Sequence, residues 1–234
     1  SITGASVTIT DQGGEKTING EGETATITGT IGEDGDRLDS LVITDGNNGS
    51  LTVDLTGVTP DANGAYTVTD VDVSGLADGK LTVTAKSTDV DDNKAESTDN
   101  VMLDKTPGTI SIDEVTGDNV INAGEADDVT ISGSTTGIED DQTVTVTVNG
   151  SNVGTATVTG GAWSLEGVDL TETGQDLDDG ELTVTATVED QAGNPAEATT
   201  NPVLDTVYGN DTDEDGSITG ASVTITDQGG EKTI

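Results

Sequence analysis

Apolar and polar residues alternate along most of this chain. Segments such as SLVIT, LTVTAK, TVTVTV and ELTVTATV place an apolar residue at every second position, commonly with threonine between. A period of two is typical of β-strands that bury one face and expose the other. No comparable stretch repeats at helical spacing. The pattern therefore predicts an all-β protein whose short strands are separated by Gly, Asp and Asn turns.

The sequence repeats at two scales. Residues 1–18 recur without a change at 217–234, which is typical of a tandem array. Inside that period, INGEGETATITGT at 18–30 matches INAGEADDVTISGS at 121–134, and ADGKLTVTA matches DDGELTVTA. The period therefore holds two sister modules of roughly 100 residues, the size of an immunoglobulin-like sandwich.

The alternation in each module predicts about seven strands, and this number favours a Greek-key β-sandwich. In the second module we expect strands near 109–114, 128–133, 143–148, 153–158, 162–166, 181–189 and 196–204. We predict tandem immunoglobulin-like sandwiches arranged end to end, with module 1 at 1–106, module 2 at 107–210, and a linker plus the first strand of a truncated third module at 211–234. Trp163 and its counterpart Tyr66 are expected to point into the two cores.

The charge balance narrows the classes of partner. The 234 residues include 46 acidic and 7 basic side chains, for a formal net charge of −39, with no His and no Cys. Nucleic acids and anionic membranes require clustered Lys and Arg, so neither is an expected partner. No apolar run approaches the length of a membrane span. We expect a monomer that binds cations and contacts neighbouring modules of its own chain.

The second module has almost no basic residues near it, because the stretch from 106 to 231 contains none. Its carboxylates must therefore be solvated, protonated or bound to a metal. Oxygen ligands without His or Cys select Ca²⁺ or Mg²⁺, and flexible loops with mixed oxygen donors favour Ca²⁺. Calcium is thus the predicted cofactor.

Three sets of candidate calcium ligands follow from position along the chain. In a head-to-tail pair, the last loop and strand of one module meet the first strand of the next, which makes the first two sets candidate junction sites. The first set is Asp89, Asn93, Asp104, Asp113 and Glu114. The second is Asp190, Asn194, Asp205, Asp211, Asp213 and Asp215, and the third is Asp118, Asn119, Asn122 and Glu125.

The aspartate series at 211–215 resembles the start of an EF-hand loop. Such a loop requires a bidentate acid at its twelfth position, and Ser222 stands there instead. The series is therefore half of a motif. An isolated acidic loop can equally be a solvated turn that binds no metal, because Asp and Asn favour turns.

Several long segments resemble a known family. LDKTPGTISIDEVTGDNVINAGEADDVTISG, GAWSLEGVDL and LTVTATVEDQAGNPAEATTNPVLDT are similar to the immunoglobulin-like extender repeats of giant bacterial repeats-in-toxin adhesins, including biofilm and calcium-dependent ice-binding adhesins. The resemblance implies type I secretion, tethering at the outer membrane, an extracellular location and Ca²⁺ at module junctions. Module 1 departs from the pattern, because STDVDDNKAES replaces the usual Asp-x-x-Gly-Asn turn and Lys105 lies beside the junction.

These observations predict a structural role. We expect an extender segment that is stiffened by calcium and projects a distal adhesive domain. The alternative is a calcium-dependent carbohydrate-binding module, although the chain offers only Tyr66, Trp163 and Tyr208 for stacking on sugars. An enzyme is not expected, because there is no His or Cys and a pair of catalytic carboxylates would need a shaped cleft.

Overall fold

The computed structural model describes residues 5–20, 22–32, 36–171 and 177–206. Within these ranges the chain forms β-strands and one short 3-10 helix, Val115–Gly117, and no α-helix. Its contacts divide it into two compact units. The first comprises Ser1–Gly108 with Glu189–Pro195, and the second comprises Thr109–Val188 with Ala196–Ile234.

The first unit is a sandwich of two sheets. Its strands are β1 (Ser6–Thr10), β2 (Thr17–Asn19), β3 (Thr24–Thr30), β4 (Arg37–Thr44), β5 (Ser50–Thr52), β6 (Ala65–Asp72), β7 (Gly79–Thr88) and β8 (Lys94–Asp104). One sheet has the order β1-β3-β6 and the other the order β2-β8-β7-β4-β5. Neighbouring strands are antiparallel except β2 and β8, which run parallel.

Alternation along the strands builds the core of this unit. In β7, Leu81, Val83 and Ala85 are buried while the threonines between them remain partly exposed. The same pattern in β4 buries Leu41 and Ile43. Burial of these aliphatic side chains is the main stabilising contribution in a core that has Tyr66 as its sole buried aromatic residue among those described.

The second unit repeats this arrangement. Its strands are β9 (Thr109–Ile110), β10 (Val120–Asn122), β11 (Val129–Thr136), β12 (Thr143–Val148), β13 (Ser151–Thr157), β14 (Ala162–Val168), β15 (Gly180–Glu181), β16 (Val184–Glu189), β17 (Pro195–Thr200) and β18 (Val203–Asp205). The sheets have the orders β14-β11-β9, β13-β12-β16-β17 and β10-β18-β15. The parallel pairing of β10 with β18 corresponds to that of β2 with β8.

The all-β class and the immunoglobulin-like sandwiches are confirmed, whereas several strand boundaries differ from the prediction. β10 was not predicted, and the strand expected at 109–114 shortens to Thr109–Ile110. The strands expected at 181–189 and 196–204 are each broken into two. Pro202 explains the second break, since proline has no N–H to donate to a neighbouring strand. The corresponding β7 and β8 of the first unit are continuous.

Tyr66 and Trp163 occupy equivalent places in the two units. Tyr66 and Trp163 are both buried, as predicted. Tyr66 lies opposite Gly29 in the β3–β6 ladder, and Trp163 lies opposite Gly133 in the β11–β14 ladder. Each ring thus covers a glycine on the neighbouring strand, which leaves room for a large side chain in a narrow sandwich.

Candidate calcium-binding residues

The predicted ligands of the first unit begin in the turn between β7 and β8. Asp89 Oδ1 accepts hydrogen bonds from the N–H groups of Asp91 (2.9 Å) and Asn93 (2.7 Å), and Asp89 Oδ2 accepts one from Asn93 Nδ2 (2.8 Å). These bonds favour the charged form of the carboxylate and hold the pKa of Asp89 below its usual value, the Asn93 side chain contributing most. The turn is stable with its carboxylate ionised.

The turn between β16 and β17 has the same internal geometry. Asp190 Oδ1 accepts from Ala192 N (2.9 Å) and Asn194 N (2.8 Å), and Asp190 Oδ2 accepts from Asn194 Nδ2 (2.8 Å). The difference is burial, because Asp190 is 4% exposed and Asn194 is 1% exposed, whereas Asn93 is exposed. Asp190 is therefore a carboxylate removed from water.

Asn194 belongs to the first unit, together with the rest of Glu189–Pro195. Its Nδ2 donates to the backbone oxygen of Asp104 at 3.0 Å, and its Oδ1 accepts from Gly20 N at 2.7 Å. The Asp104 carbonyl oxygen and Asp190 Oδ2 consequently approach one amide nitrogen. Oxygens of two predicted ligand sets thus share one hydrogen-bond donor in the part of the first unit that the structure describes.

The remaining junction candidates are spread over separate segments, since Asp104 and Asp205 end strands β8 and β18 whereas Asp113 and Glu114 lie between β9 and the 3-10 helix. The Asp104 side chain accepts from Thr106 N (3.1 Å), and Asp113 Oδ2 accepts from Ser132 Oγ (3.3 Å). Glu114 and Asp205 are exposed. The first set draws its members from both units, and Asp211, Asp213 and Asp215 lie outside the described residues, so both junction sets remain predictions.

Side chains of the third set accept hydrogen bonds from backbone N–H groups within their own turns. Asp118 Oδ1 accepts from Val120 N (2.9 Å), Asn122 Oδ1 accepts from Gly124 N (2.9 Å), and Glu125 Oε2 accepts from Asn122 N (3.1 Å). These are the bonds expected of polar side chains that stabilise turns. Across the described ranges, no group of three or more acidic side chains is close enough together to hold a metal ion. The donor chemistry of the Asp104 and Asp190 region, carboxylate and carbonyl oxygen, nevertheless fits Ca²⁺.

Lys105, which stands beside Asp104 in sequence, does not neutralise that carboxylate. Its Nζ donates to the backbone oxygens of Ser74 (2.8 Å) and Leu76 (2.9 Å). Lys105, at which module 1 departs from the expected pattern, thus binds backbone oxygens and not the predicted ligands.

The salt bridges found among the described residues all lie in the first unit. They join Lys16 to Asp99, Arg37 to Asp39 and Lys86 to Glu96. Partial burial alone would raise the pKa of Asp99, but the Lys16 ammonium and the N–H groups of Ile9 and Asn100 lower it overall. Module 2, residues 107–210, contains no Lys or Arg with which its carboxylates could form a salt bridge.

Sequence reasoning missed two features of this region. It did not identify Gly20, whose N–H binds Asn194, or the Lys16–Asp99 pair that fastens the first strand. Asn19-Gly20 carried a turn signal, but no local pattern indicates a partner 174 residues away. In the described parts of the chain, no helix has the length and apolar character that crossing a membrane requires.

No family model matches the sequence, and no curated protein does. Among solved structures, a tetra-tandem repeat from the extending region of a large adhesion protein is 31% identical, over 86% of this chain and 49% of that one, with a TM-score of 0.38. The Ca²⁺-stabilised adhesin with which an Antarctic bacterium reaches out and binds ice is 26% identical, over 89% and 51%, with a TM-score of 0.45. This chain thus spans about half of each of those two.

A single domain matches over nearly its whole length. A bacterial immunoglobulin-like domain from the ice-binding adhesin of M. primoryensis is 30% identical, with 43% of this chain covering 99% of that domain and a TM-score of 0.31. Because all three TM-scores are below 0.5, the assignment rests on sequence identity and not on superposition. The chain belongs to the bacterial immunoglobulin-like domains, and it is similar in sequence to the tandem repeat from the extending region of a large adhesion protein.

Proposed function

We propose that this chain is an extender segment of a bacterial surface adhesin, in which Ca²⁺ bound at module junctions stabilises and stiffens the array. The observation that carries the proposal is the buried Asp190 carboxylate, which lies with the Asp104 carbonyl oxygen around the Asn194 amide. Asp190 takes part in none of the salt bridges found among the described residues, so this buried carboxylate would gain from a bound cation.

The charge balance supports a stabilising role for the ion. The net charge of −39 makes the folded chain repel itself, and the second module has no basic residue to reduce that repulsion. A Ca²⁺ ion supplies two positive charges to oxygen ligands. At a free concentration about 100 times the dissociation constant, each site would stabilise the fold by ~2.7 kcal/mol.

Stiffening would follow from where the ligands stand in the sequence. Asp104 ends the last strand of module 1 and Asp113 follows the first strand of module 2, with a linker of few apolar residues between them. Such a linker bends easily when nothing holds it. An ion shared by Asp104, Asp113 and the turn carboxylates would resist bending, since bending would break coordination.

Location and secretion form part of the same proposal. One matched adhesin is an ice-binding protein of 1.5 MDa that is retained on the host cell surface. We infer an extracellular position for this chain, where calcium is plentiful, and transport through type I secretion before folding. We assign it no enzymatic activity.

Small-angle scattering of this chain tests the stiffening. In millimolar Ca²⁺ we expect a narrow distribution of intramolecular distances, which EDTA broadens. Asp104→Asn and Asp190→Asn should show the broad distribution even with Ca²⁺. Asp127→Asn, which removes one charge from an exposed position, is the matched control and should behave as wild type. Distributions unchanged by EDTA would contradict a calcium-stiffened extender.

The alternative, a carbohydrate-binding module, loses support from the fold. Sugar rings stack on exposed aromatic faces, yet Tyr66 is 4% exposed and Trp163 is 3% exposed, and the third aromatic candidate, Tyr208, lies outside the described residues. A glycan array with Ca²⁺ present would show specific binding if this alternative were correct.

A further inference from the structure

The two units share backbone bonds that fix which of their residues correspond. Met102 N donates to the backbone oxygen of Lys16 at 2.9 Å, and Val203 N donates to that of Asn119 at 2.8 Å. The parallel pairing of β2 with β8, and of β10 with β18, follows directly after each bond. Asn119 of the second unit therefore stands where the first unit has Lys16.

The Lys16 ammonium joins two strands of the first unit. Lys16 Nζ pairs with the Asp99 carboxylate of β8 and donates to the backbone oxygen of Ile9 in β1 at 2.8 Å. Asp99 Oδ2 also accepts from Ile9 N at 2.9 Å. Because Asn119 is neutral, the second unit has no cation at the corresponding place.

A second lysine is replaced in the same way. Lys86 and Glu96 are register partners on β7 and β8, and Lys86 Nζ lies 3.3 Å from Glu96 Oε2. LTVTAK of β7 matches LTVTAT of β16, and KAEST of β8 matches PAEAT of β17. The second unit thus keeps the carboxylate as Glu197 but has Thr187 in place of the lysine.

At a third place the sign of the charge is reversed. Lys80 lies opposite Met102 in the β7–β8 ladder, and Glu181 lies opposite Val203 in the β15–β18 ladder. Since Met102 and Val203 correspond, Glu181 takes the place of Lys80. Both side chains are exposed, so the second unit presents a carboxylate where the first presents an ammonium group.

The fourth place follows the last strand of each unit. Lys105 Nζ donates to the backbone oxygens of Ser74 and Leu76, at 2.8 and 2.9 Å. The corresponding residue of the second unit is Thr206, whose N and Oγ1 both donate to Asp179 Oδ1, at 2.9 and 2.7 Å. A cation bound to backbone oxygens is thus replaced by a neutral side chain bound to a carboxylate.

These replacements give the modules different charge balances. Module 1, residues 1–106, has 20 acidic and 6 basic side chains, and module 2, residues 107–210, has 20 acidic and no basic ones. Their formal net charges are −14 and −20. An exposed ion pair alone adds little to stability, but cations spread over a module also weaken the repulsion among its carboxylates.

We propose that module 1 keeps its fold when calcium is withdrawn, whereas module 2 depends on the bound ion. The lysines of module 1 supply positive charge that module 2 obtains from Ca²⁺. This inference rests on the proposed calcium binding and adds which module the ion regulates. As calcium falls, module 2 should open first while module 1 stays folded.

Hydrogen exchange measured by mass spectrometry tests this in the intact chain, because it follows the modules separately. Amides of β3 and β7 report on module 1, and those of β11 and β16 report on module 2. At constant pH and ionic strength, replacing millimolar Ca²⁺ by EDTA should speed exchange about tenfold or more in module 2 and about threefold or less in module 1.

The outcomes of this experiment separate the two claims. Equal acceleration in both modules, or a larger one in module 1, would overturn this inference and leave calcium binding intact. Unchanged exchange in both modules would overturn the proposed calcium binding, and this inference with it.

Charge transfer into module 2 tests whether position matters. Thr187→Lys places an ammonium group beside Glu197, as Lys86 lies beside Glu96, and relieves the same repulsion as the ion. It should reduce the acceleration in β16 from about tenfold to about threefold. Ser151→Lys is the matched control, since it adds the same charge at an exposed place where module 1 has no basic residue. Equal effects of the two substitutions would contradict a role for the corresponding positions.

The reverse change in module 1 completes the test. Lys86→Thr gives module 1 the side chain found in module 2, and combining it with Lys16→Asn removes both ion pairs that the matched positions lose. Exchange in β7 should then accelerate in EDTA about threefold more than in wild type. If Lys16→Asn prevents folding, Lys86→Thr alone decides, because its side chain is exposed. Wild-type exchange of Lys86→Thr in EDTA would contradict the inference.

Discussion

Tyr66 Oη donates a hydrogen bond to the backbone oxygen of Ser6, and Gly29 on the strand between them leaves the space for it. A Cβ atom at Gly29 would overlap both groups. The second unit keeps the arrangement with other residues, since a Cβ at Gly133 would overlap the Ser111 carbonyl and lie 2.9 Å from Trp163 Nε1. In each unit, the buried aromatic residue therefore requires a glycine opposite it on the neighbouring strand.

Gly29→Ala should therefore destabilise the first unit by about 2–3 kcal/mol, through overpacking and displacement of Tyr66. Urea denaturation followed by circular dichroism measures this. Gly75→Ala is the control, because a Cβ there has no neighbour within 4 Å, and it should change stability by less than about 0.5 kcal/mol. Equal effects of the two substitutions would show that Gly29 is not constrained by packing.

Gly133→Ala should act on the second unit. Trp163 is the sole tryptophan, so its emission reports on that unit directly. We expect a lower urea midpoint by fluorescence and a shift of native emission toward longer wavelength, since the indole would be pushed toward water. A native spectrum and midpoint like those of wild type would contradict the close approach of Gly133 to Trp163.

The two Asp-x-x-x-Asn turns give a matched pair of substitutions. Asn194→Ala leaves Gly20 N and the Asp104 oxygen without their partner in a partly buried place and removes the buried bond to Asp190 Oδ2, so it should cost about 2–3 kcal/mol. Asn93→Ala removes an exposed side chain and should cost about 0.5 kcal/mol or less. Thermal or urea denaturation of both variants compares them, and equal losses would mean that burial of Asn194 contributes nothing.

The pKa of Asp99 predicts a defined acid sensitivity. Its folded-state pKa lies below the unfolded value of about 3.9, so its contribution to stability is complete above that pH. The contribution is lost as pH falls through the lower folded value. Urea midpoints measured from pH 5.5 to pH 2.5 should decline more steeply for wild type than for Asp99→Asn. Parallel curves would rule out this carboxylate as a source of acid sensitivity.

Local patterns in the sequence predicted much of this fold and less of its site. The alternation of Leu81, Val83 and Ala85 with threonine is a local property, and it gave the strand and its buried face. β10 has three residues and pairs in parallel with a strand near the end of its module, so neither its length nor its partner produces a local signal. We expected one strand at 196–204, although Pro202 marks a break because proline has no N–H to donate.

For the candidate ligands too, the sequence predicted local features but not those that depend on distant packing. Asp89 with Asn93 and Asp190 with Asn194 have the same spacing and make the same bonds within their turns. The sequence therefore predicted both turns but could not distinguish their environments. Burial of Asp190 and Asn194 arises from packing between segments distant in the chain, as the bond between Asn194 and Gly20 shows.

The central claim, that Ca²⁺ stabilises this fold through its carboxylates, is tested most directly by thermal unfolding of the chain in EDTA, in millimolar Mg²⁺ and in millimolar Ca²⁺, followed by Trp163 emission and circular dichroism. We predict a midpoint at least ~5 °C higher in Ca²⁺ than in EDTA, as expected for one site worth about 1 kcal/mol or more, with a smaller rise in Mg²⁺. Asp190→Asn should reduce the rise, whereas Asp127→Asn should keep it. The same midpoint in EDTA and in Ca²⁺ would contradict the claim.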